Sequence, residues 1–322
     1  MPAAAPADDR ALQRFLDEYE AGAVLGCDRV PAPSGDENYL IATERGAYVI
    51  TLFAADATAP KLDLADLLTR QRIPCPRPLR NITGGRSGTL SGRSAVLSIR
   101  GRGQLRTRAG VSDCAAVGTM LARIHIAGRS DPPPLMEKPR AQGWRDLAAG
   151  VRTRVGRDDE RLIAGELAFQ SLYRFSDLPR GTIHSCPVRA VVLFEEGRVT
   201  SLVGVPGFRA DVLLYDLAVA VNDWCSRDDG GLDGQLAGAT LDAYHAHRPL
   251  SALERGAWPV LLRAAALHSW LRALYDAHTS RSQCGPSGAD PEALGRILRQ
   301  RIDNESMARA VWPACRPYGS VG

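Results

Sequence analysis

The chain has 322 residues, 45% hydrophobic and 24% charged, which is enough for about two globular domains with a substantial core. Its formal net charge of +4 is small, and the basic residues are scattered rather than clustered with aromatic residues, which argues against a nucleic-acid surface. Residues 1–15 lack a signal-peptide pattern, and no segment approaches the roughly 18 consecutive apolar residues of a membrane-spanning helix. Neither secretion nor membrane insertion is predicted.

The cysteines and lysines narrow the class of protein further. Seven cysteines are spread along the chain without a C-x-x-C pair, which predicts neither a disulfide framework nor a zinc site and indicates a cytoplasmic protein. Of the 40 basic residues only Lys61 and Lys138 are lysines. An arginine-rich proteome explains this bias most simply. The scarcity of lysine also leaves few positions for a phosphate-binding lysine. Small molecules are the expected partners, and a protein partner is left open.

The N-terminal part of the chain predicts a small antiparallel sheet with helices beside it. Runs of β-branched and alternating residues predict the strands, and a helical pattern that stops before Ile73 and Pro74 predicts a helix ending there. In chain order these are a helix over residues 12–19, strands over 23–30, 38–43 and 47–53, a helix over 61–72, and strands over 89–90 and 94–99.

From Val111 onward apolar residues recur at helical spacing, so the rest of the chain is predicted to be mainly helical. A β-hairpin after the loop from His184 to Arg189 interrupts it. The later helices are predicted over residues 162–174, 213–225, 236–247, 253–278 and 291–309, and the hairpin strands over 190–194 and 199–203. The layout predicts an α+β fold with a β-rich domain over 1–99, a linker over 100–110 and a helical domain over 111–322.

Several short segments with recognisable sequences are spread over most of the chain. The longest is LYDLAVAVNDWC from Leu214; the others are YVITLF from Tyr48, PCP from Pro74, LARIHIAGR from Leu121, RPL from Arg248, WP from Trp258 and LYD from Leu274. In their order and spacing they resemble the homoserine kinases of the aminoglycoside-phosphotransferase family, over roughly residues 10–305. The resemblance implies a two-lobed, protein-kinase-like fold with a small antiparallel β lobe and a larger helical lobe.

In that family the γ-phosphoryl group of ATP is transferred to the hydroxyl of L-homoserine, a step toward threonine. The motif H-x-D-x-x-x-x-N supplies an aspartate for the acceptor hydroxyl and an asparagine for Mg²⁺, and a later D-F supplies a second metal ligand. Here His184 matches, but Cys186 stands at the catalytic aspartate and Val191 at the asparagine. Gly204 stands at the second metal-binding aspartate. No metal site is therefore predicted.

The loop expected to cover the nucleotide also departs from the family pattern. PSGDE from Pro33 precedes Asn38, where the family has a glycine-containing turn and E-N-[ST]-N. The resemblance places Asn38, Val96 and Ser98 against a nucleotide, and Thr51 at the position where other kinases carry a phosphate-binding lysine. The predicted cofactor is ATP, with weak or no dependence on Mg²⁺, or else none.

The loop from His184 to Arg189 is called the altered loop below, because it departs from the family motif. Three residues in or near it have both a structural and a functional interpretation. His184 is interpreted as a brace of the loop backbone, and Asp216 as the buried carboxylate that ties its helix to that loop. Cys186 lies two residues from His184, so a thiolate nucleophile is conceivable, although an inert thiol that fills the loop is the simpler interpretation.

The acceptor side of the cleft is predicted on two helices, where the same residues could instead be ordinary core or surface positions. The residues are Asn222, Asp223, Trp224 and Arg263. Where the family pattern is R-F-W-x-x-R-L-Y-D, this chain has HSWLRALYD, so His268 and Ala273 replace two expected basic residues. These two replacements predict that binding of the acceptor is altered as well.

Three hypotheses about function follow. The leading one is a homoserine kinase-like pseudokinase that is catalytically impaired but keeps a cleft for a homoserine-like molecule or a nucleotide. The second is an active small-molecule phosphotransferase that uses Asp211, Glu195 or Asp36 as a non-standard metal ligand. The third is a regulatory or scaffold protein that acts on a partner enzyme.

Overall fold

The computed structural model describes residues 8–30, 36–53, 58–129, 140–205, 208–278 and 290–313. A small antiparallel sheet comes first, and a larger, mainly helical lobe follows. None of the helices in these ranges is both long and apolar enough to cross a membrane.

The first lobe is a six-stranded sheet flanked by two helices. Its strands lie in the order β1-β2-β3-β6-β4, β5 pairs with β6, and all pairs are antiparallel. Leu12, Phe15 and Leu16 recur at helical spacing on the first helix and bury one face of it against the sheet. The elements are α1 (Asp9–Asp17), β1 (Val24–Val30), β2 (Glu37–Thr43), β3 (Gly46–Leu52), α2 (Thr58–Arg70), β4 (Arg77–Pro78), β5 (Gly88–Leu90) and β6 (Arg93–Ile99).

The second lobe is built around a central helix. Its elements are α3 (Val111–Ala127), α4 (Arg140–Val151), α5 (Arg157–Ser171), β7 (Arg180–Ile183), β8 (Val192–Glu195), β9 (Arg198–Leu202), β10 (Arg209–Val212), α6 (Leu213–Trp224), α7 (Gly234–His247), α8 (Ala252–His278), α9 (Pro291–Asp303) and α10 (Glu305–Ala310). Nearly every residue of α6 is buried, as its almost uninterrupted apolar sequence requires. β7 pairs with β10, and β8 with β9.

The structure corrects two of the predicted elements and adds others. Ala190 and Val191, predicted to begin a strand, form a 3₁₀ turn in which Val191 N–H donates to Val188 O at 3.1 Å. The helix predicted over 291–309 is divided at Asn304, whose φ of −121° and ψ of 48° are not helical. α4 and the β7–β10 pair were not predicted at all.

The linker between the lobes is fastened to the β8–β9 hairpin. The backbones of Gln104 and Phe194 exchange two hydrogen bonds, of 2.8 and 2.9 Å. Thr200 Oγ1 donates to Arg102 O at 2.7 Å. Gly103 has a φ of +102°, and a Cβ there would lie 2.6 Å from Phe194 O, so this close approach requires glycine.

Candidate functional site

Asp216, in the first turn of α6, holds the altered loop by its backbone. Its Oδ2 accepts the N–H of His184 at 2.8 Å, and its Oδ1 accepts that of Ser185 at 2.9 Å. His125 Nε2 lies 3.1 Å from Oδ2, and His125 Nδ1 lies 2.7 Å from Tyr244 Oη. All of these groups lie inside the lobe, and charge-assisted bonds of this kind stabilise the loop whether or not it is catalytic.

His184 is buried, with 3% of its surface exposed, and stacks edge-on against Phe208. Burial lowers the pKa of its imidazole to about 4, although the charge of Asp216 acts in the opposite direction. The neutral ring accepts the Cys186 N–H at Nδ1 over 3.3 Å, so its own proton lies on Nε2. These contacts are those of a brace for the loop backbone.

Cys186 stands in an environment that disfavours a thiolate. Burial raises the pKa of its thiol far above the usual value, and the carboxylates of Asp223 and Asp216 raise it further. The guanidinium of Arg272 opposes them only in part. The thiol is therefore protonated at neutral pH, which favours the inert interpretation over the nucleophile.

Asp223, on the last turn of α6, contacts the same loop from the other side. Its Oδ2 accepts the backbone N–H of Arg189 at 2.7 Å and the side-chain Nε–H of Arg189 at 3.3 Å. Arg189 Nη1 also donates to Thr107 O in the linker, at 3.1 Å. Burial raises the pKa of Asp223, and Arg189 acts in the opposite direction. Asp223 thus joins α6 to the loop directly, and Arg189 connects both to the linker.

The two positions of the family's metal ligands hold no ligating side chain. Val191 is 2% exposed and belongs to the apolar core of the helical lobe. Gly204 has a φ of +69°, and a Cβ there would overlap the side-chain amide of Asn38. Neither position fits Mg²⁺, which requires oxygen ligands.

Asn38 is instead part of a polar contact between the lobes, here called the Asn38–Thr51 bridge, formed by Asn38, Thr51, Val203 and Val205. Asn38 Oδ1 accepts from Thr51 Oγ1 at 2.8 Å, and Asn38 Nδ2 donates to Val203 O at 3.4 Å. Thr51 Oγ1 in turn accepts the N–H of Val205 at 3.1 Å. The bridge joins β2 and β3 to the segment after β9.

The other two residues predicted to contact a nucleotide lie on β6, next to this bridge. Val96 is fully buried in a small apolar cluster with Phe53, Leu62 and Val205. Ser98 is also fully buried, and its Oγ has no hydrogen-bond partner among the residues that the structure describes. Residues 31–35, where most of the predicted nucleotide-covering loop lies, are outside the described ranges.

A cavity of about 270 Å³ lies between the two lobes, beside the linker. Its walls come from the inner face of the sheet, from the linker and from the β8–β9 hairpin with the turn before it. They are mostly apolar, with Arg100 at one side, which suits a flat, largely apolar ring. The lining residues are Val30, Leu40, Val49, Arg100, Gly101, Gly103, Gln104, Leu105, Ala190, Leu193, Leu202 and Val203.

The four residues predicted on the acceptor side are not gathered into one site. Besides Asp223, Trp224 contacts the loop, because its Nε1–H donates to Pro187 O at 2.8 Å. Asn222 donates to Leu262 O on α8 at 2.8 Å.

Arg263 pairs with buried Glu166 and lies over the ring of Phe169, 3.5 Å from its centroid. His268 Nδ1 lies 2.9 Å from Tyr215 Oη, and His268 itself is half-buried. Sequence reasoning missed Arg189 and Arg272. The signal for Arg272 was its place one residue before Ala273, where the family has a basic residue.

The three carboxylates proposed as substitute metal ligands are either paired with a basic side chain or exposed at a turn. Asp36 pairs with Lys61 at 3.4 Å, Asp211 pairs with Arg209 at 2.7 Å, and Glu195 is exposed at the hairpin turn. Within the described ranges, no three His, Cys, Asp or Glu side chains are grouped so that they could hold a metal ion.

Comparisons with known proteins agree on one family and one fold. A model described as "Phosphotransferase enzyme family" (APH) matches residues 28–250. The homoserine kinase of Methylobacillus flagellatus is 36% identical over 305 residues, which cover 94% of this chain and 95% of the relative. That of Burkholderia mallei is 35% identical over 314 residues, which cover 91% and 94%.

Solved structures extend the comparison to the fold. A microcompartment-associated aminopropanol kinase has a TM-score of 0.69 at 15% identity, over 94% of this chain and 99% of that one. An amicoumacin kinase, solved with AMP-PNP and Ca²⁺, has a TM-score of 0.68 at 12% identity, over 96% of both chains. These similarities confirm the predicted two-lobed, kinase-like α+β fold.

Proposed function

Because the chain belongs to the phosphotransferase enzyme family and is homoserine kinase-like over most of its length, we propose that it is a pseudokinase. In this proposal it binds a nucleotide or a similar small molecule between its lobes but has lost metal-dependent phosphoryl transfer. Transfer needs a carboxylate at the acceptor and oxygen ligands for Mg²⁺, since the transition state is stabilised mainly by position and charge.

The observation that carries the proposal is the contact between Asn38 and Gly204. The amide of Asn38 lies where a side chain on residue 204 would begin. It is fixed there by Thr51 and Val203. The space of a metal-binding carboxylate is thus used to join the lobes, which supports a structural role for this part of the cleft.

The apolar cavity beside the linker supports retained binding. Its sheet, linker and hairpin walls would enclose an adenine-sized ring, while Arg100 could face an anionic group. ATP is therefore the proposed ligand, with weak or no dependence on Mg²⁺. A cytoplasmic location, a link to threonine biosynthesis and a protein partner remain proposals that follow from the relatives' name or from the sequence.

The proposal is tested by measuring ADP formation from ATP, Mg²⁺ and L-homoserine, together with ATP binding by calorimetry with and without Mg²⁺. We expect ATP to bind with an affinity that Mg²⁺ changes less than about threefold, and no turnover above background. Turnover that depends on Mg²⁺ in the native chain would show that the second hypothesis, an active phosphotransferase, is correct.

A restored variant tests the cause of the inactivity. It combines Cys186→Asp, Val191→Asn and Gly204→Asp, and is made with and without Asn38→Ala. We expect activity only when Asn38→Ala is included, because the Asn38 amide otherwise overlaps the new side chain at residue 204. Gly197→Asp is the matched control, since Gly197 has a similar φ of +74° but open space around its Cβ position.

A further inference from the structure

A second cavity, of about 120 Å³, lies in the helical lobe and shares no lining residue with the cavity between the lobes. It is enclosed by the loop after α6 and by the junction of α9 and α10. We call it the Arg227–Arg301 cavity. Its lining residues are Arg227, Gly231, Leu232, Gln300, Arg301, Asn304, Met307 and Ala308.

Arg301 is a buried cation in the wall of this cavity. Only 3% of its surface is exposed. Its guanidinium donates to three acceptors: Asn222 Oδ1 at 2.9 Å, Gly230 O at 3.0 Å and Ser226 Oγ at 2.6 Å. All three are neutral. Burial lowers the pKa of Arg301 to about 10, so the side chain is still charged at neutral pH.

Arg227 places a second positive charge on the same cavity. Its side chain is half exposed, and its Nη1 donates to Leu232 O at 2.8 Å. Its Nε forms an ion pair with Asp229 Oδ1 at 3.5 Å, and the carboxylate of Asp229 is largely exposed to solvent. After burial, the nearby positive charge of Arg227 also lowers the pKa of Arg301.

The polar rim of the cavity also offers donors. Gln300 and Asn304 line it with side-chain amides, and Asn304 Nδ2 donates to Gln300 Oε1 at 2.7 Å. The remaining lining side chains, those of Leu232, Met307 and Ala308, are apolar and reduce the screening of the two charges. The cavity thus combines two cations with N–H donors.

We propose that the Arg227–Arg301 cavity binds a small oxyanion, a phosphate or carboxylate group held between the two guanidinium groups. The hydrogen-bond acceptors of buried Arg301 are all neutral, and a buried charge destabilises a fold unless an opposite charge compensates it. A planar guanidinium matches the oxygens of either group. The bound oxyanion would be a separate ligand from the nucleotide, since the Arg227–Arg301 cavity and the cavity between the lobes share no lining residue.

The test uses the full chain and two probes, inorganic phosphate and acetate, each compared with chloride at equal ionic strength. Binding is measured by calorimetry, and by hydrogen exchange in residues 222–233. We expect phosphate or acetate to bind and to slow exchange in that segment. Arg227→Gln should weaken this binding about tenfold or more, because a charge-assisted hydrogen bond is removed. Arg161→Gln, on the exposed face of α5, is the matched control and should bind as the native chain does.

A second variant keeps the proposal testable if Arg227→Gln is poorly folded. Asn304→Asp places a carboxylate at the rim, where it would neutralise the guanidinium groups and abolish the response to both probes. Response to phosphate alone would identify the ligand as a phosphate group, and response to acetate alone as a carboxylate. No binding to the native chain, or equal binding to Arg227→Gln and Arg161→Gln, would overturn the proposal.

Discussion

At the scale of single residues, the burial of His184 makes the free energy of unfolding depend on pH. Its pKa in the folded chain is about 4, below the value of 6.5 expected in the unfolded chain, because it is buried. The unfolded chain therefore takes up a proton first as the pH falls. This part of the stability is complete above about pH 6.5 and is lost progressively between pH 6.5 and 4.

We expect the free energy of unfolding to fall by about 3 kcal/mol across this range on account of His184, since one pKa unit corresponds to about 1.4 kcal/mol. Urea unfolding at a series of pH values measures it. His184→Gln should be less stable at pH 7 but should lose much of the pH dependence above pH 4. An unchanged slope in that variant would contradict the burial of a neutral imidazole.

How much of the site was predictable differs from residue to residue. The contacts of His184 and Asp216 with the loop backbone could be predicted because the resemblance to homoserine kinases places both residues at that loop, and the structure shows such hydrogen bonds. The bridge of Asn38 to Val203 could not, since its partners are 165 residues apart in the chain. Arg189 was missed because its contact with Asp223 depends on how α6 meets the loop.

At the scale of elements, the packing of α3 against α7 depends on one glycine. A Cβ on Gly118 of α3 would lie 3.2 Å from Tyr244 N and closer still to Thr240 O, both on the backbone of α7. The two helices therefore meet at a point where no side chain separates them. Gly238, on α7 itself, has open space around its Cβ position.

Alanine at these two positions is expected to act in opposite directions. Gly118→Ala should destabilise the chain by about 2 kcal/mol or more, because the helices must move apart. Gly238→Ala should stabilise it by about 0.5–1 kcal/mol, through helix propensity. Thermal or urea unfolding of both variants measures the difference, and equal effects would show that α3 and α7 are not in close contact.

The elements that were predicted well from the sequence are those whose apolar residues recur with a strong helical or strand period. The long helix α8 and the strands β1 to β3 were predicted to within a few residues, because their apolar patterns extend over several turns or strand repeats. β7 and β10 were missed, since each has four residues and neither alternates clearly. The division at Asn304 was missed as well, because the helical pattern continues on both sides of it.

At the scale of the whole molecule, the Asn38–Thr51 bridge and the cluster around Val96 tie the two lobes together. We expect the chain to unfold in a single cooperative transition. Thr51→Val keeps the shape of the side chain but removes the hydroxyl that donates to Asn38 Oδ1 and accepts from Val205 N–H. It should lower the free energy of unfolding by about 2–4 kcal/mol.

Differential scanning calorimetry measures this coupling. In Thr51→Val the ratio of calorimetric to van't Hoff enthalpy should rise above one as the lobes begin to unfold separately. Thr89→Val, at an exposed position of β5, is the control and should leave both quantities nearly unchanged. A similar loss of stability in the two variants would mean that the bridge contributes little to the union of the lobes.

The hydrogen bonds between the linker and the β8–β9 hairpin affect which molecules the cavity beside the linker can bind. Rotation of one lobe about residues 102–104 would break the hydrogen bonds of Gln104 with Phe194 and that of Thr200 with Arg102. We therefore expect the cavity beside the linker to keep nearly constant dimensions on binding. A cavity that cannot widen rejects slightly larger molecules more sharply than one that can, so analogues of the proposed nucleotide should differ in affinity mainly by their size.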